Sequence, residues 1–435
     1  MTRLFKGLTG LKDLFIKLGI KITILCLASE ILFLLSVSQA KAEGFSVYDY
    51  GARGSSLGGA MLARKPDPSA IAHNPALLTK LPGTWVMAGA TAIGTAGKID
   101  HPAGRTAISG SIYTLPHAYF THQLSDRLFL GVGEFSRFGL GNEYPADWPG
   151  RFNIYEVYLM SASLNPVLAF KATKKLSLAV GVELLYAALS MKSKVNFLPM
   201  AEIDSRIEEA KDLAVGFNLA GHYQFNPQWA VGIQYRSPIR LKAKGQVDFT
   251  YLGPNLPSLI DYFNSNFVDG TVKGVVTLPE SIAAGVSYSP TEKISLEIGA
   301  VWTRWSRFKE LALDFPGSLQ LVSPKKWKDT WRVTTGLEWA ALDWLDVRVG
   351  YNWTESPMTT PNADYTVPTR NRHTYTIGLG FHNERFSLDL AYIYVYCRSR
   401  GFNDSPVGAG GNGTLASKSQ KFLAHEGAIS LTYHF

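Results

Sequence analysis

The chain has 435 residues, of which 46% are hydrophobic, 12% aromatic and only 18% charged, against a usual charged share of about 25%. That balance excludes a disordered chain, which would be polar and poor in aromatics, and two cysteines exclude a disulfide scaffold. The formal net charge of +8, much of it in the first 42 residues, is too mild for a nucleic-acid partner. A mean hydropathy of +0.01 is too low for a bundle of membrane helices, so a large all-β protein is left.

Residues 1–42 read as a signal peptide. Arg3, Lys6, Lys12, Lys17 and Lys21 precede an apolar stretch from Ile22 to Val37, and Ala40-Lys41-Ala42 supplies the small residues of a cleavage site. Export leaves Cys397 as the single cysteine, so no intramolecular disulfide is expected. A disulfide-free exported chain of this size suits a bacterial envelope.

Residues 43–82 are rich in strand breakers, among them Gly51, Gly54, Gly58, Pro66, Pro68, Pro75 and Pro82. The apolar Ile71, Ala72, Leu77, Leu78 and Leu81 argue that this segment packs rather than trails. It stands just before the first barrel strand, expected from Thr84, where it can plug the lumen.

From residue 83 to 435 the pattern is a repeated period of two. Ile429, Leu431, Tyr433 and Phe435 alternate with Ser430, Thr432 and His434. In a strand the two sets point to opposite faces, as expected of a wall with lipid on one side and a polar lumen on the other. Short turns fall at Gln123–Asp126, Ala172–Lys175, Phe225–Gln228, Ser289–Lys293, Ala341–Trp344 and His382–Arg385. They alternate with long connections at about 94–112, 140–152, 191–213, 246–272, 309–327, 355–372 and 399–422. Six short turns and seven long loops give fourteen strands. Short turns at one end and long loops at the other mark an outer-membrane barrel, whose closure removes the strand edges that lipid would not tolerate.

The same residues carry a family resemblance. Gly51-Ala52-Arg53-Gly54, Leu57-Gly58 and Asp67-Pro68-Ser69-Ala70-Ile71-Ala72-His73-Asn74-Pro75-Ala76 resemble the N-terminal hatch of the FadL-type outer-membrane transporters. Phe138-Gly139-Leu140, Trp148-Pro149-Gly150-Arg151, Leu164-Asn165-Pro166, Leu278-Pro279-Glu280-Ser281 and Trp327-Lys328-Asp329-Thr330-Trp331-Arg332 extend the likeness over the mature chain. The resemblance implies a fourteen-stranded antiparallel transmembrane β-barrel with its hatch inside the lumen. It implies a monomer in the outer membrane of a Gram-negative bacterium, in contact with outer-membrane lipid. It implies passive uptake of hydrophobic molecules, long-chain fatty acids first and monoaromatic hydrocarbons as the alternative. Ligand would be captured by the extracellular loops and leave sideways through a gap at a kink in the third strand.

On that basis Phe45, Asn74, Pro75 and Ala76 are expected to hold and gate the hatch, and Phe138, Gly139 and Leu140 to form the kink. Lys192, Lys194, Lys325 and Lys326 lie near the positions where the family supplies basic ligand contacts. Ser193 and Ser323 fall closer still, which leaves room for a neutral ligand. Leu198, Leu256, Ile260 and Phe263 give the loops an apolar content that suits capture. A general porin would need an unobstructed lumen, and an outer-membrane enzyme a convergent nucleophile or acid–base set. Gly54-Ser55-Ser56-Leu57-Gly58 matches a nucleophile elbow but lacks the strand before and helix after it. Gly408-Ala409-Gly410-Gly411-Asn412-Gly413 lies in a loop, outside any βαβ unit. The nine scattered His show no metal spacing, and no cofactor is expected.

Overall fold

The computed structural model describes residues 44–196, 201–317, 320–405 and 413–435; the signal-peptide reading lies outside them. The chain forms one closed antiparallel barrel of fourteen strands. They are β1 (Thr84–His101), β2 (Ile112–Gln123), β3 (Leu128–Phe135, resuming at Leu140–Glu143), β4 (Glu156–Lys171), β5 (Leu176–Asn196), β6 (Glu202–Gln224) and β7 (Trp229–Arg236, continued by Ile239–Leu252). Next come β8 (Gly270–Leu278 and Ser281–Thr291), β9 (Ile294–Thr303 and Glu310–Asp314), β10 (Gln320–Pro324 and Thr330–Leu342), β11 (Leu345–Thr354), β12 (Arg372–His382), β13 (Phe386–Cys397) and β14 (Ser417–His434). Each strand pairs with its neighbours in the chain, and β14 pairs back to β1 from Trp85↔His434 to Asp100↔Lys418. Fourteen is even, so both ends of the barrel lie on the short-turn side.

The alternation read from the sequence sets the two faces. On β5, Leu178, Val180 and Val182 are bare while Ser177, Ala179 and Glu183 are buried. On β14, Ile429 and Leu431 face out, and Ser430 and Thr432 face the lumen.

The six short turns stand where expected, but several long loops are not loops. β5 and β6 run on to Asn196 and from Glu202, so 191–213 is mostly a hairpin. Residues 310–314 and 320–324 likewise form two strand extensions, and 246–272 holds the helix Pro257–Asn266 between strand ends. The reason is length. β6 has 23 residues, about 75 Å at some 3.3 Å per residue, whereas the apolar band is about 25 Å tall. Its outer row is Leu213, Val215, Phe217 and Leu219 in the band and Arg206, Glu208 and Lys211 above it. Above the band the outer row turns charged while Ile203, Ile207 and Ala210 stay buried on the inner row, so the lipid-facing pattern that announces a barrel strand is lost.

Residues 44–82 lie inside the barrel. They form α1 (Ala52–Ser56), α2 (Ala70–His73) and a 3-10 helix (Pro75–Lys80). Ile71, Leu77 and Leu78 are wholly buried and cluster with Tyr119, Phe129 and Phe135 of the wall. Where this segment crosses β7 to β12 the wall offers glycines. A Cβ on Gly232 would stand 1.9 Å from the Leu62 carbonyl oxygen, and one on Gly350 2.3 Å from the Gly58 nitrogen. Only glycine allows backbone to lie on backbone at that range.

Candidate functional site

The third strand breaks where Phe138-Gly139-Leu140 falls. Phe135 pairs with Ser163, and Leu140 with Leu159, so residues 136–139 bulge against residues 160–162. On the other side the ladder between β2 and β3 ends at Ala118↔Glu134, leaving Ile112–His117 of β2 with no partner in β3. The backbone ladder between β2 and β3 is therefore interrupted in the half nearer the long loops, until Ser109 N donates to Glu143 O at 2.9 Å. The start of the lumen segment pairs with the broken strand: Val47 N donates to Arg137 O (2.8 Å) and Gly139 N to Phe45 O (2.7 Å). Ser161 Oγ donates to Phe138 O at 2.7 Å and fixes the bulge from β4.

Phe45 is the hub of an aromatic cluster. Its ring centroid lies 4.8 Å from Trp305, 5.7 Å from Phe308, 5.8 Å from Trp327 and 6.0 Å from Phe138. Gly44 has a positive φ of 56°, and a Cβ there would strike the Trp327 and Trp305 rings at 2.6 and 2.7 Å. Phe45, Phe308 and Trp327 of this cluster form the floor of an apolar cavity. Leu140, Val157, Leu159, Leu189, Met191, Leu241 and Leu278 are among its walls. Asp212 and Lys325 are its charged lining residues.

Lys325 is buried and its ammonium pairs with the buried carboxylate of Asp364. Asp364 lies on the long loop after β11, whose next residues, Thr366 and Val367, also line the cavity. That loop is held across the mouth: Tyr365 N donates to Asn153 Oδ1 (3.0 Å), and Asn142 Nδ2 to Thr366 O (2.7 Å).

Beneath the cluster, buried charges tie the kink to the lumen segment. Glu183 of β5 accepts from Arg137 Nη1 (2.8 Å), Arg236 Nη1 (2.9 Å) and Ser163 Oγ (2.7 Å). Arg236 Nη2 in turn donates to Ala72 O at 3.0 Å. Around the remaining wall, the Glu297 carboxylate accepts three successive backbone N–H groups, from Leu62 (2.6 Å), Ala63 (3.0 Å) and Arg64 (2.9 Å). Arg53 makes two hydrogen bonds of 2.8 Å to Glu338. Glu183, Glu297 and Glu338 were not singled out from the sequence. Their signal was present: each is an acid on the lumen row of a strand whose outer row is apolar, as Glu297 is between Leu296 and Ile298.

The other expected residues scatter. Asn74 is fully buried; its Nδ2 donates to Leu62 O (2.6 Å) and Gly221 O (3.1 Å), and its Oδ1 accepts from Ala76 N (3.1 Å). It caps the 3-10 helix that Pro75 and Ala76 begin. Lys192 pairs with Glu156 (2.9 Å) and Lys194 with Glu202 (3.0 Å), on the strand extensions. Lys326 is exposed in a left-handed turn (φ 44°). Leu256 is exposed at the start of α3 (Pro257–Asn266), while Ile260 and Phe263 are half-buried on it; Phe263 stacks on Phe267. Leu198 lies outside the described residues. Of the four lysines, Lys325 lines the cavity.

His73 at the end of α2 is buried, and burial pulls its pKa down to about 4. The seated segment thus holds a neutral imidazole, while a displaced one would titrate near 6.5. Seating is therefore at full strength above pH 6.5 and weakens as pH falls towards 4, by on the order of 3 kcal/mol from this group. Ion conductance through the barrel in planar bilayers is expected to rise over that window and to rise less in His73→Gln. Identical acid responses would remove His73 from the account.

A closed fourteen-stranded barrel, apolar outside and holding its own N-terminal segment, defines an outer-membrane protein. The chain belongs to the outer membrane protein transport family (OMPP1/FadL/TodX), whose profile matches residues 33–435. It is thus a member of a family of outer-membrane transporters of hydrophobic compounds. An outer membrane protein of Neisseria meningitidis serogroup B is 25% identical, over 96% of this chain and 98% of its own. Outer membrane protein P1 of Haemophilus influenzae is 22% identical, over 67% and 68%. Among solved structures, a Pseudomonas aeruginosa FadL homologue superposes with a TM-score of 0.81 at 18% identity, over 90% of this chain and all of its own. The Pseudomonas putida toluene transporter TodX gives 0.71 at 16%, over 89% and 99%.

Proposed function

We propose that the protein takes up long-chain fatty acids passively, as a monomer, with residues 43–82 as a movable hatch and the opening between β2 and β3 as the exit into the membrane. The observation that carries this reading is the apolar cavity whose floor is Phe45 and whose side is Leu140 of the kink. A hydrophobic solute gains about 25 cal/mol per Å² on leaving water for such a surface. Its arrival presses on Phe45, which is bonded through its own carbonyl to Gly139, so one displacement bears on hatch and gap together. Leu256, Ile260 and Phe263 would capture solute above. Trp327 lines the cavity, so its fluorescence reports occupancy. Saturable quenching by palmitate, lost when Ala187→Phe fills the cavity, is expected; undiminished quenching in that variant would move the site elsewhere.

A second reading, uptake of neutral monoaromatic hydrocarbons, is favoured by the pairing of Lys325 with Asp364. A toluene titrant resembles the ligand named for the structural neighbour TodX and needs no cation. An ionised fatty acid must take Lys325 from Asp364, because two carboxylates on one buried ammonium leave a net buried charge. Asp364→Asn separates the readings. For a fatty-acid channel the freed ammonium should tighten palmitate binding about tenfold, the worth of one charge-assisted hydrogen bond. For an aromatic-hydrocarbon channel, toluene binding should be unchanged and palmitate should stay weak.

A further inference from the structure

The register of the wall sets three lysines side by side. Lys244 of β7 stands opposite Lys211 of β6 on one flank and opposite Lys273 of β8 on the other. Arg240 and Lys242 extend the same outward row of β7. Side chains directly opposite in an antiparallel ladder have Cβ atoms about 5 Å apart, and like charges there are destabilising. Acids offset the two outer lysines, and Lys244 between them faces lysine on both flanks. Glu209 pairs with Lys211 at 2.9 Å, Glu208 stands opposite Gln246, and Asp314 opposite Lys273. Among the described residues, Arg240, Lys242, Lys244 and Lys273 make no ion pair.

The height of the row is informative. On β6 the outward residues after Lys211 are Leu213 and Val215, each 63% exposed, where the apolar band begins. Lys211, Lys244 and Lys273 therefore stand on the rim of that band, on the side of the long loops, with Lys242 and Arg240 lower on the same row. They face away from the lumen and cannot meet the transported solute.

We propose that this row binds the phosphate groups of a lipid of the outer leaflet. A phosphate placed between two strands accepts from lysines on both, and its charge replaces their repulsion with attraction. The acyl chains of the same lipid lie along Leu213 and Val215 below. The lysines thus hold the wall firmly only when the lipid is present.

The test is a change of sign. The full mature protein is melted in phosphatidylcholine nanodiscs with and without diphosphoryl lipid A, as wild type and as the Lys244→Gln variant. Without lipid A the variant should melt higher, since repulsion has been removed from an exposed face. With lipid A the wild type should gain more and the order should reverse, and added salt should erase the difference. Equal gains would overturn the proposal. So would the same gain from inorganic phosphate alone in phosphatidylcholine nanodiscs, which would make the row a site for the free anion.

Discussion

Gly350→Leu should turn a plugged barrel into a steadily conducting one. A Cβ at this position would fall 2.3 Å from the Gly58 nitrogen and the Leu57 carbonyl carbon. Those are backbone atoms of the lumen segment, which no rotamer change can move aside. The strand itself accepts leucine readily, so the strain falls on the segment that rests against it. Overpacking of this kind costs about 1–3 kcal/mol, and a displaced segment also loses its bonds to Glu297 and Arg332, which hold Leu62 to Arg64 and Gly58. Gly232→Leu, whose Cβ would meet the Leu62 carbonyl oxygen, should act alike from the other side of the lumen. Gly427→Leu is the control, because no atom lies within 4 Å of a Cβ there. Single-channel recording in planar bilayers reads the result. If both lumen-facing variants stayed as quiet as the control, the seating of backbone on glycine would not be what keeps the lumen closed.

Loss of the Glu183 carboxylate should cost the most stability of any single side chain in the lumen. Its oxygens hold Arg137 of the kink and Arg236 of β7, both buried. Glu183→Ala leaves two guanidinium groups facing each other with that counter-charge removed, and breaking a buried pair from one side costs about 3–5 kcal/mol. The damage should be local first. Arg137 sits in the bulge that interrupts β3, and Arg236 holds the Ala72 carbonyl, so both kink and lumen segment loosen. The expected result is a lower urea midpoint in detergent together with earlier proteolysis at residues 136–139. An unchanged midpoint and unchanged cleavage would show the two arginines to be satisfied by other means. Glu183→Gln keeps the shape and accepts hydrogen bonds without charge, so it should fall between wild type and alanine.

The wall was legible because lipid imposes a rule on every second residue. Ile429 and Leu431 could be placed on the apolar face from spacing alone, and the strand number followed from the turns. Above the apolar band that rule lapses: β5 continues to Asn196 and β6 starts at Glu202 with charged residues on the outer face, and they read as loop. The segment before β1 was legible as packed, from its apolar residues among glycines and prolines, but not its contacts. Those join residues far apart in the chain, such as Leu62 with Glu297 and Ala52 with Ser430. The cavity was half visible. Lys325 and Phe45 were named in advance, whereas Asp364, some 39 positions from Lys325, carries no local mark. The lysines of β5 were read as ligand contacts from the family resemblance, and the acids opposite them carry no local mark in the sequence. Glu156 and Glu202 face them.

The wall glycines that admit the N-terminal segment also bear on the order of assembly. Their partners, residues 57–62, precede β1 in the chain, yet the surface they rest on is built from β7 to β12. That surface does not exist until most of the barrel has been laid down. The N-terminal residues therefore find their seat only after β7 to β12 are in place, with Glu297 and Arg332 among the groups that receive them. A barrel lacking residues 44–82 would lose those contacts as well as its plug, and its yield on refolding into lipid is expected to fall even though every strand is intact.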